Sequence, residues 1–308
     1  MHKFILRRLV MMAPVLLGVM FIIFTLMYVT PGDPASLLLG EQAPPEAVAA
    51  LRAEMGLDDP FLVQFINYVK KAARLDLGIS ISTKRPVFDE LAARFPNTIK
   101  LAALSIVLAV FTGIPLGILC ATKHNTNFDS ITSILGLIAL SIPNFWLGLM
   151  LILFFAVNLG WLPVSGFGTP LHWIMPTLTI GLSYAGAFMR FSRSSMLEVI
   201  RQDYIRTARA KGQKESTVII RHALKNALIP VITVVGLYFG YLLGGAILTE
   251  TVFAIPGVGN YMVQSIRSRD FNIVQGGVLM IAIGVSFVSL FVDILYGFAD
   301  PRIRAQYK

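Results

Sequence analysis

The sequence predicts an all-α, polytopic membrane protein with six transmembrane helices. Of its 308 residues, 56% are hydrophobic and only 14% are charged, whereas soluble domains carry about 25% charged residues. Uncharged apolar runs recur along the chain, and the longest exceed the roughly 20 residues that a helix needs to cross a bilayer. This composition excludes a soluble enzyme.

The charge balance is basic, with 26 Lys and Arg against 17 Asp and Glu and a net charge of +9. Nucleic-acid-binding domains are polar, whereas many basic residues here flank apolar runs, so membrane topology explains the charge better. The single cysteine, Cys120, excludes a disulfide within the chain and is interpreted as a packing residue.

The first predicted span covers residues 9–30 and follows the basic residues Lys3, Arg7 and Arg8. A cleaved signal peptide is the alternative interpretation. The apolar run is longer than a typical signal core, however, and no A-x-A site precedes the Pro-Gly-Asp-Pro turn at residues 31–34. We therefore expect a membrane-spanning helix.

Five further spans are predicted at residues 101–121, 131–159, 174–189, 228–248 and 276–298. Residues 174–189 are the most polar of these, but omitting them would place the next basic segment on the opposite side of the membrane. Asp293 is the only charged residue in the six runs. Because it lies near Arg302 and Arg304, we expect a structural ion pair more than a substrate or proton site.

Basic residues also predict the orientation of the spans. Nine lie between Arg190 and Lys225, whereas the short loops on the other side hold only Arg267 and Arg269. The positive-inside rule therefore places both termini in the cytoplasm. The predicted domains are residues 1–97 (the first helix and a long outer segment), 98–298 (a five-helix core) and 299–308 (a cytoplasmic tail).

Short helices lying against the membrane surface are expected in the outer segment. Turn signals there are followed by Phe61, Phe65, Ile66 and Val69 at helical spacing. These apolar residues are expected to share one face.

The large cytoplasmic loop, residues 190–227, carries the most informative local pattern. Asp203 is suited to cap a short helix from Tyr204 to Lys211, and Gly212 can supply the left-handed residue that ends it. Arg209 and Lys211 complement the negative end of the helix dipole.

This short helix is expected to present two different faces. Tyr204 and Ala208 share one face, while Arg206 and Arg209 point elsewhere. An apolar contact face on a projecting helix suits docking into a groove of another protein. A solvated basic loop that only fixes topology is equally supported by the spacing. A second helix is expected after a cap at Ser216.

The loop resembles the EAA loop of permease subunits from bacterial ATP-binding-cassette importers, in the RTARAKG form of the peptide-permease branch. The family pattern is E-A-A, three residues, Gly, nine residues, an apolar residue, one residue, then Leu-Pro. Ala208, Gly212 and Leu224 match this pattern. The departures are Arg206, Thr207, His222 and Lys225.

Other motifs extend the resemblance over nearly the whole chain. They are FILRRLV, PGDP, MGLDDPFLVQF, DLGIS, GIPLGIL, SIPNFWLG, SRSSMLEV, ETVFAIPGVG, RDFNIVQGGVL and VDILYGFADPRIR. Together they resemble the B-type inner-membrane permease of importers for dipeptides, oligopeptides, glutathione or nickel complexes.

The resemblance implies a type I importer permease of the MetI-like fold, forming half of a translocation pore for short peptides, with nickel complexes as the alternative cargo. It implies a second homologous permease, two ATP-binding subunits and an extracytoplasmic solute-binding protein as partners in a bacterial inner membrane. The ATP-binding subunits would use ATP and Mg, while this chain would bind no cofactor. The implied coupling residues are Asp203, Tyr204, Arg206, Thr207, Ala208, Arg209, Lys211, Gly212 and Leu224.

Two other regions are candidates for the pore or its gate. Asn144 follows a proline and can mark a break in the third span whose freed carbonyls face the pore, although a kink satisfied by neighbouring helices is equally supported. Glu250, Pro256 and Gly257 follow the fifth span on the outer side, where they can form a gate or receive the binding protein. An ordinary solvated loop is the alternative for them.

The sequence contains no motif for catalysis. The P-loop pattern G-x-x-x-x-G-K-[ST] is absent, and the four histidines have no metal-ligand spacing. The scarcity of charges within the spans argues against a self-contained secondary transporter, which is the main alternative class. We expect a non-catalytic transport subunit with no metal site.

Overall fold

The computed structural model describes residues 2–40 and 42–299, which are mostly helical and contain no β-strand. The predicted all-α class is therefore confirmed. The N-terminal part contains α1 (His2–Val29), α2 (Pro34–Leu39), α3 (Pro45–Met55) and α4 (Phe61–Ala72). The rest contains α5 (Val87–Thr122), α6 (Asn127–Ser141), α7 (Asn144–Leu151), α8 (Leu171–Ile200), α9 (Asp203–Ala210), α10 (Glu215–Thr217), α11 (Leu224–Gly245), α12 (Ile247–Val252), α13 (Val258–Arg267) and α14 (Phe271–Ala299). Two π-helical segments, Ile152–Asn158 and Val218–Ala223, continue α7 and α10.

Four helices of the described part are long and apolar enough to cross a membrane: Ile5–Val29, Val87–Thr122, Glu215–Gly245 and Phe271–Ile294. A fifth candidate is the pair Asn127–Ser141 and Asn144–Asn158, between which the chain bends by 98°. The break considered at Asn144 is thus present. Pro143 explains it, because proline lacks the amide hydrogen that would continue the helix.

The predicted fourth span lies within α8, a 30-residue helix that is about 45 Å long at 1.5 Å per residue. Its length suffices to cross a bilayer, but Pro176 and several hydroxyl and charged side chains make it less apolar than the other candidates. The count of six spans therefore remains a prediction.

The core assembles around α8, which packs along α5 and also contacts α6, α7 and α11. The backbones approach closely where side chains are small. A Cβ atom at Gly113 of α5 would collide with the carbonyl of Ala185, and one at Gly186 would collide with the backbone of Gly136 in α6. Small residues permit such contacts between membrane helices, whose association depends on close packing.

The N-terminal part attaches to this core through α1, which packs against α14 and α4. Phe24 and Tyr28 of α1 pack against Phe61 and Phe65 of α4, with ring centroids 5.0 to 5.6 Å apart. Ile66, which the spacing groups with these residues, lies outside the aromatic contact and is 49% exposed, and Leu62 and Val63 are exposed as well. This exposed apolar face agrees with a helix lying against the membrane surface.

A buried carboxylate fixes the end of the outer segment to the core. Asp270, just before α14, accepts a hydrogen bond from the Ser80 hydroxyl at 2.5 Å and another from the Ser82 amide at 3.1 Å. These bonds join residues almost 200 positions apart in sequence, so the outer segment has a defined position beside α14.

Asp293 forms an ion pair, as expected, and its partner within the described residues is Arg8. Its Oδ2 atom lies 3.0 Å from Nη1 of Arg8, so the pair joins α14 to α1. Arg302 and Arg304, the partners suggested by sequence proximity, lie outside the described residues.

Candidate functional site

Helix α9 occupies the loop between α8 and α11, where the sequence places a short helix. Gly212 follows it with a φ of +76°, the left-handed conformation that the sequence predicts. Two details are wrong. Gln202 occupies the cap position and Asp203 is the first helical residue, so the Asp203 side chain caps nothing. Ser216 likewise lies inside α10, whose cap position is Lys214.

The apolar face of α9 is turned towards its own chain. Ile205 and Ala208 are buried in a cluster with Met196 of α8 and Val218 and Ala227 of the following helix. Ala208 therefore cannot be the exposed contact for another protein that the spacing suggested. Leu224 packs against the same cluster. The inner face of α9 instead fastens it to the ends of α8 and α11.

The outer face of α9 is polar and open to solvent. The Arg206 side chain is 74% exposed and lies 3.7 Å from Asp203, and Thr207 and Lys211 are also exposed. Tyr204 is 42% exposed, and its hydroxyl accepts a hydrogen bond from the Asn226 side chain at 2.8 Å. This face can contact a partner through charge and hydrogen bonds rather than through apolar burial.

The turn after α9 is held by a double ion pair. Arg209 donates to both carboxylate oxygens of Glu215, at 3.0 and 2.7 Å, and thereby closes the chain around Gly212. The pairing raises the pKa of the Arg209 guanidinium above its ordinary value. His222 contacts the Gln213 side chain at 2.7 Å on the same turn. The turn is therefore held against α9 and the helix that follows it by side-chain contacts.

A second ion pair, which the sequence does not indicate, lies beside this loop. Asp129 at the start of α6 accepts two hydrogen bonds from Arg193 of α8, at 2.6 and 2.8 Å. The ring of His124 lies 3.2 Å from the same carboxylate. The Asp129 side chain is almost wholly buried, and the pair joins α6 to α8. Arg193 lies three residues before Met196, the residue of α8 that is buried together with Ile205 and Ala208 of α9.

The pore or gate candidates lie outside this loop and have a different environment. Asn144 begins α7 at the bend, and its side-chain oxygen is buried with no hydrogen-bond partner among the described residues. An unsatisfied buried oxygen costs free energy unless a water or another molecule reaches it. This finding is compatible with either a pore-facing break or a local kink.

Glu250 is fully buried rather than positioned at an open pore mouth. Its carboxylate accepts hydrogen bonds from the Thr98 hydroxyl at 2.6 Å and from the Asn260 amide at 2.9 Å. Desolvation raises the pKa of this carboxyl, although these hydrogen bonds oppose the shift. In this conformation Glu250 joins α12 to α5 and α13, and it does not face an aqueous path.

The turn at residues 255–259 packs tightly around that carboxylate. The Pro256 carbonyl accepts a hydrogen bond from the Asn97 side chain at 3.0 Å, and the backbone of Gly257 lies directly against Glu250. An ordinary solvated loop is therefore excluded for Gly257, which is buried. The sequence indicates a Gly-rich turn. It does not indicate that the Glu250 carboxylate occupies the space where a Cβ atom at position 257 would lie.

Comparison with known families gives two matches that together span nearly the whole chain. Residues 113–305 match the family described as the inner membrane component of binding-protein-dependent transport systems. Residues 1–102 match the N-terminal region described for the membrane component of such systems.

Named relatives agree with these matches. The chain is 41% identical to the dipeptide transport system permease protein DppB of Alkalihalophilus pseudofirmus, covering 99% of this chain and 100% of the relative. It is 40% identical to the glutathione transport system permease protein GsiC of Escherichia coli O6:H1, covering 99% of both chains.

Solved structures show the same fold. A chain of the MetNI methionine ABC transporter matches with a TM-score of 0.55 and 20% identity, over 68% of this chain and 96% of that one. A chain of an amino acid ABC transporter matches with a TM-score of 0.53 and 14% identity, over 70% and 94%. The predicted MetI-like fold is confirmed.

Replacing Arg193 by Ala tests the ion pair between α6 and α8. We expect Arg193→Ala to lower the free energy of unfolding by about 2–3 kcal/mol, because a buried carboxylate loses its partner. The shift of the unfolding midpoint in detergent measures this. Arg190→Ala, on the same helix and exposed, serves as the matched control. Adding Asp129→Ala to Arg193→Ala should recover part of the loss, and an unshifted Arg193→Ala variant would refute the role of the pair.

Replacing Gly257 by Ala tests the packing of the outer turn. The backbone conformation at Gly257 suits any residue, but the added Cβ would collide with the Glu250 carboxylate. We expect a loss of about 1–3 kcal/mol, as for other overpacked sites. Thermal unfolding measures it, with Gly168→Ala as control because no atom lies within 4 Å of its added Cβ. Equal stability of both variants would contradict the tight turn.

Proposed function

Because the chain belongs to the family of inner membrane components of binding-protein-dependent transport systems, we propose that it forms half of the pore of an ATP-driven importer for short peptides. The chain is a multi-pass membrane protein and a transport permease rather than an enzyme. The observation that carries the mechanism is the two-faced helix α9, which is anchored inward by Ile205 and Ala208 and exposes polar side chains outward.

The proposed cargo class rests on the named relatives. One is named for dipeptides and the other for glutathione, and each is about 40% identical over almost its full length. Both cargoes contain peptide bonds, which favours short peptides over nickel complexes. The similar identities give no reason to prefer one peptide over the other.

The proposed assembly contains a second homologous permease, two ATP-binding subunits and an extracytoplasmic solute-binding protein. ATP and Mg are used by the ATP-binding subunits, and the present chain contributes the path through the bacterial inner membrane. The distribution of basic residues supports placing the α9 loop and both termini in the cytoplasm. The ATP-binding subunits would then meet the outer face of α9.

Coupling follows from the contacts of α9. A partner that pulls on the outer face would move α9 as a unit, because the Arg209–Glu215 pair closes the turn behind it. The buried inner face would pass this motion to the ends of α8 and α11. Arg193 and Asp129 would carry it on to α6, so that several spans tilt together between inward-open and outward-open arrangements.

Residues 1–97 would form a peripheral helix and outer segment, and residues 98–298 would form the part of the chain that changes conformation. Asn144, Glu250, Pro256 and Gly257 stay candidates for the gate in the outward-open arrangement. In that arrangement, rearrangement of the buried Glu250 turn would be needed to expose the carboxylate.

Gly212→Val tests the coupling role of the α9 turn. A β-branched residue is strained at a φ of +76°, by about 1–2 kcal/mol, which shifts the population of the turn ~5- to 30-fold. We expect peptide uptake by proteoliposomes holding the complete assembly to fall, while ATP hydrolysis persists. Uptake per ATP hydrolysed is the measurement.

Gly212→Asn is the matched control, because Asn tolerates the left-handed conformation and the site has open space for a side chain. It should couple nearly as well as the wild type. Normal coupling in Gly212→Val would contradict the role of the turn, and uptake by the purified chain without ATP would instead support a secondary transporter.

A further inference from the structure

A cavity of about 690 Å³ lies between the end of α1, helices α2 to α4 and the start of α14. This volume is within the range of small-molecule sites. The cavity is separate from the α9 loop and from the Glu250 turn, and no residue predicted as a functional site lines it.

One wall of the cavity is apolar and largely aromatic. The rings of Phe24 and Tyr68 stack with centroids 5.6 Å apart and an angle of 22°, and Tyr28 stacks on Phe24 at 6.4 Å. Met27 and Phe271 extend this wall. Such a surface suits an apolar or aromatic side chain of a ligand.

Another wall carries charges that neutralise each other. Arg52 lies 2.7 Å from Asp33 and 2.8 Å from Asp58, and the Asp33 carboxylate also accepts from the amide and hydroxyl of Ser36. These groups are already paired, so they shape the cavity rather than attract a charged ligand.

Two lining charges of opposite sign are not paired in this way. Neither Lys71 nor Asp76 forms an ion pair within the described part of the chain, and both are exposed. The Asp76 carboxylate accepts one hydrogen bond, from the Gly78 amide at 3.0 Å. One ammonium and one carboxylate that lack an ion-pair partner in the described part of the chain complement a molecule that carries both charges.

The cavity also contains hydrogen-bonding groups without partners. The hydroxyl of Tyr68 is buried and has no hydrogen-bond partner among the described residues. Burial raises the pKa of Tyr68 to about 12, so the hydroxyl keeps its proton at neutral pH and can donate. Gln275 is half-buried beside it without a side-chain hydrogen bond in the same part of the chain. A ligand with amide groups can pair with Gln275 directly, and with the Tyr68 hydroxyl after a small shift of the ring exposes this atom, which is covered in the present conformation.

We propose that this cavity binds a short zwitterionic peptide, with an apolar side chain against the Phe24–Tyr68 wall and the peptide termini near Lys71 and Asp76. The site would lie on the permease itself, beside the pore rather than in the external binding protein. The choice of a peptide over another zwitterion rests on the proposed function.

Direct binding to the complete assembly in nanodiscs, without binding protein or ATP, tests this site. The probe is radiolabelled alanyl-phenylalanine, and we expect saturable binding. Tyr68→Phe removes only the hydroxyl and should weaken binding ~3- to 10-fold, the range expected for one hydrogen bond. Lys71→Ala should weaken binding at least as much. Lys70→Ala is the matched control, because Lys70 neighbours Lys71 but does not line the cavity.

A second probe identifies which feature of the ligand is recognised. The same dipeptide with an acetylated N-terminus and an amidated C-terminus has no terminal charges, and we expect it to bind more weakly than the free dipeptide. Equal binding of the two probes would overturn the zwitterion assignment. Thermal unfolding of each variant shows that its fold is intact, and the exposed position of Lys71 keeps that variant informative if Tyr68→Phe is unstable.

Absence of saturable binding, or unchanged binding in both Tyr68→Phe and Lys71→Ala, would overturn the inference. So would a phospholipid that remains in the cavity and is not displaced by the dipeptide, as seen by native mass spectrometry. ATP-dependent uptake with the binding protein present is measured in parallel. Normal uptake without cavity binding would refute the cavity site alone, whereas absent uptake by the wild type would refute the proposed function.

Discussion

The close packing of α8 against α5 and α6 determines where the functional parts of this chain lie. Gly113, Gly136 and Gly186 leave no room for a Cβ atom at these crossings, so the backbones are in direct contact. α8 is also long enough to reach from its contacts with α7 and α12 to the loop that carries α9. A displacement at one end of such a helix is transmitted to its other end, because close-packed helices do not deform continuously.

The two faces of α9 differ in their surroundings, and the proposed function assigns anchoring to the inner face and recognition to the outer face. Apolar burial through Ile205 and Ala208 holds the helix to its own chain, and the exposed Arg206 and Thr207 are available to a partner. A helix that used its apolar face for docking would be loosely held by its own permease and would transmit little force. The observed arrangement suits the proposed transmission, since buried side chains join the helix to the ends of α8 and α11.

Local signals in the sequence were sufficient for the helical class, the existence of α9, its end at Gly212 and the break near Asn144. These depend on hydropathy, glycine and proline, which act within a few residues. Interactions between distant residues could not be predicted in the same way. Asp129 and Arg193 are 64 positions apart, and the pair of Arg8 with Asp293 joins α1 to α14 at opposite ends of the described sequence.

The wrong predictions of a cap at Asp203 and of an exposed contact at Ala208 have one physical origin. Residue type predicts what a side chain is able to do, but burial decides what it does in the fold. Asp203 is a good capping residue, but it lies one position after the cap of α9. Ala208 is apolar, but residues of its own chain cover it. Nor does the sequence indicate that Thr98, Asn260 and Gly257 enclose the Glu250 carboxylate, although this residue stays a candidate for the gate. Each outcome depends on neighbours that the sequence alone does not place.

Chemical cross-linking from the outer face of α9 tests the central claim most directly. A cysteine at position 207, introduced as Thr207→Cys in a Cys120→Ser background, is exposed on that face, and Gly168→Cys on a distant loop is the control. We expect Thr207→Cys to cross-link in native membranes to a subunit that contains a P-loop, and Gly168→Cys to give no such product. Cross-linking of neither variant, or of both equally, would contradict the assignment of α9 as the contact with the ATP-binding subunits.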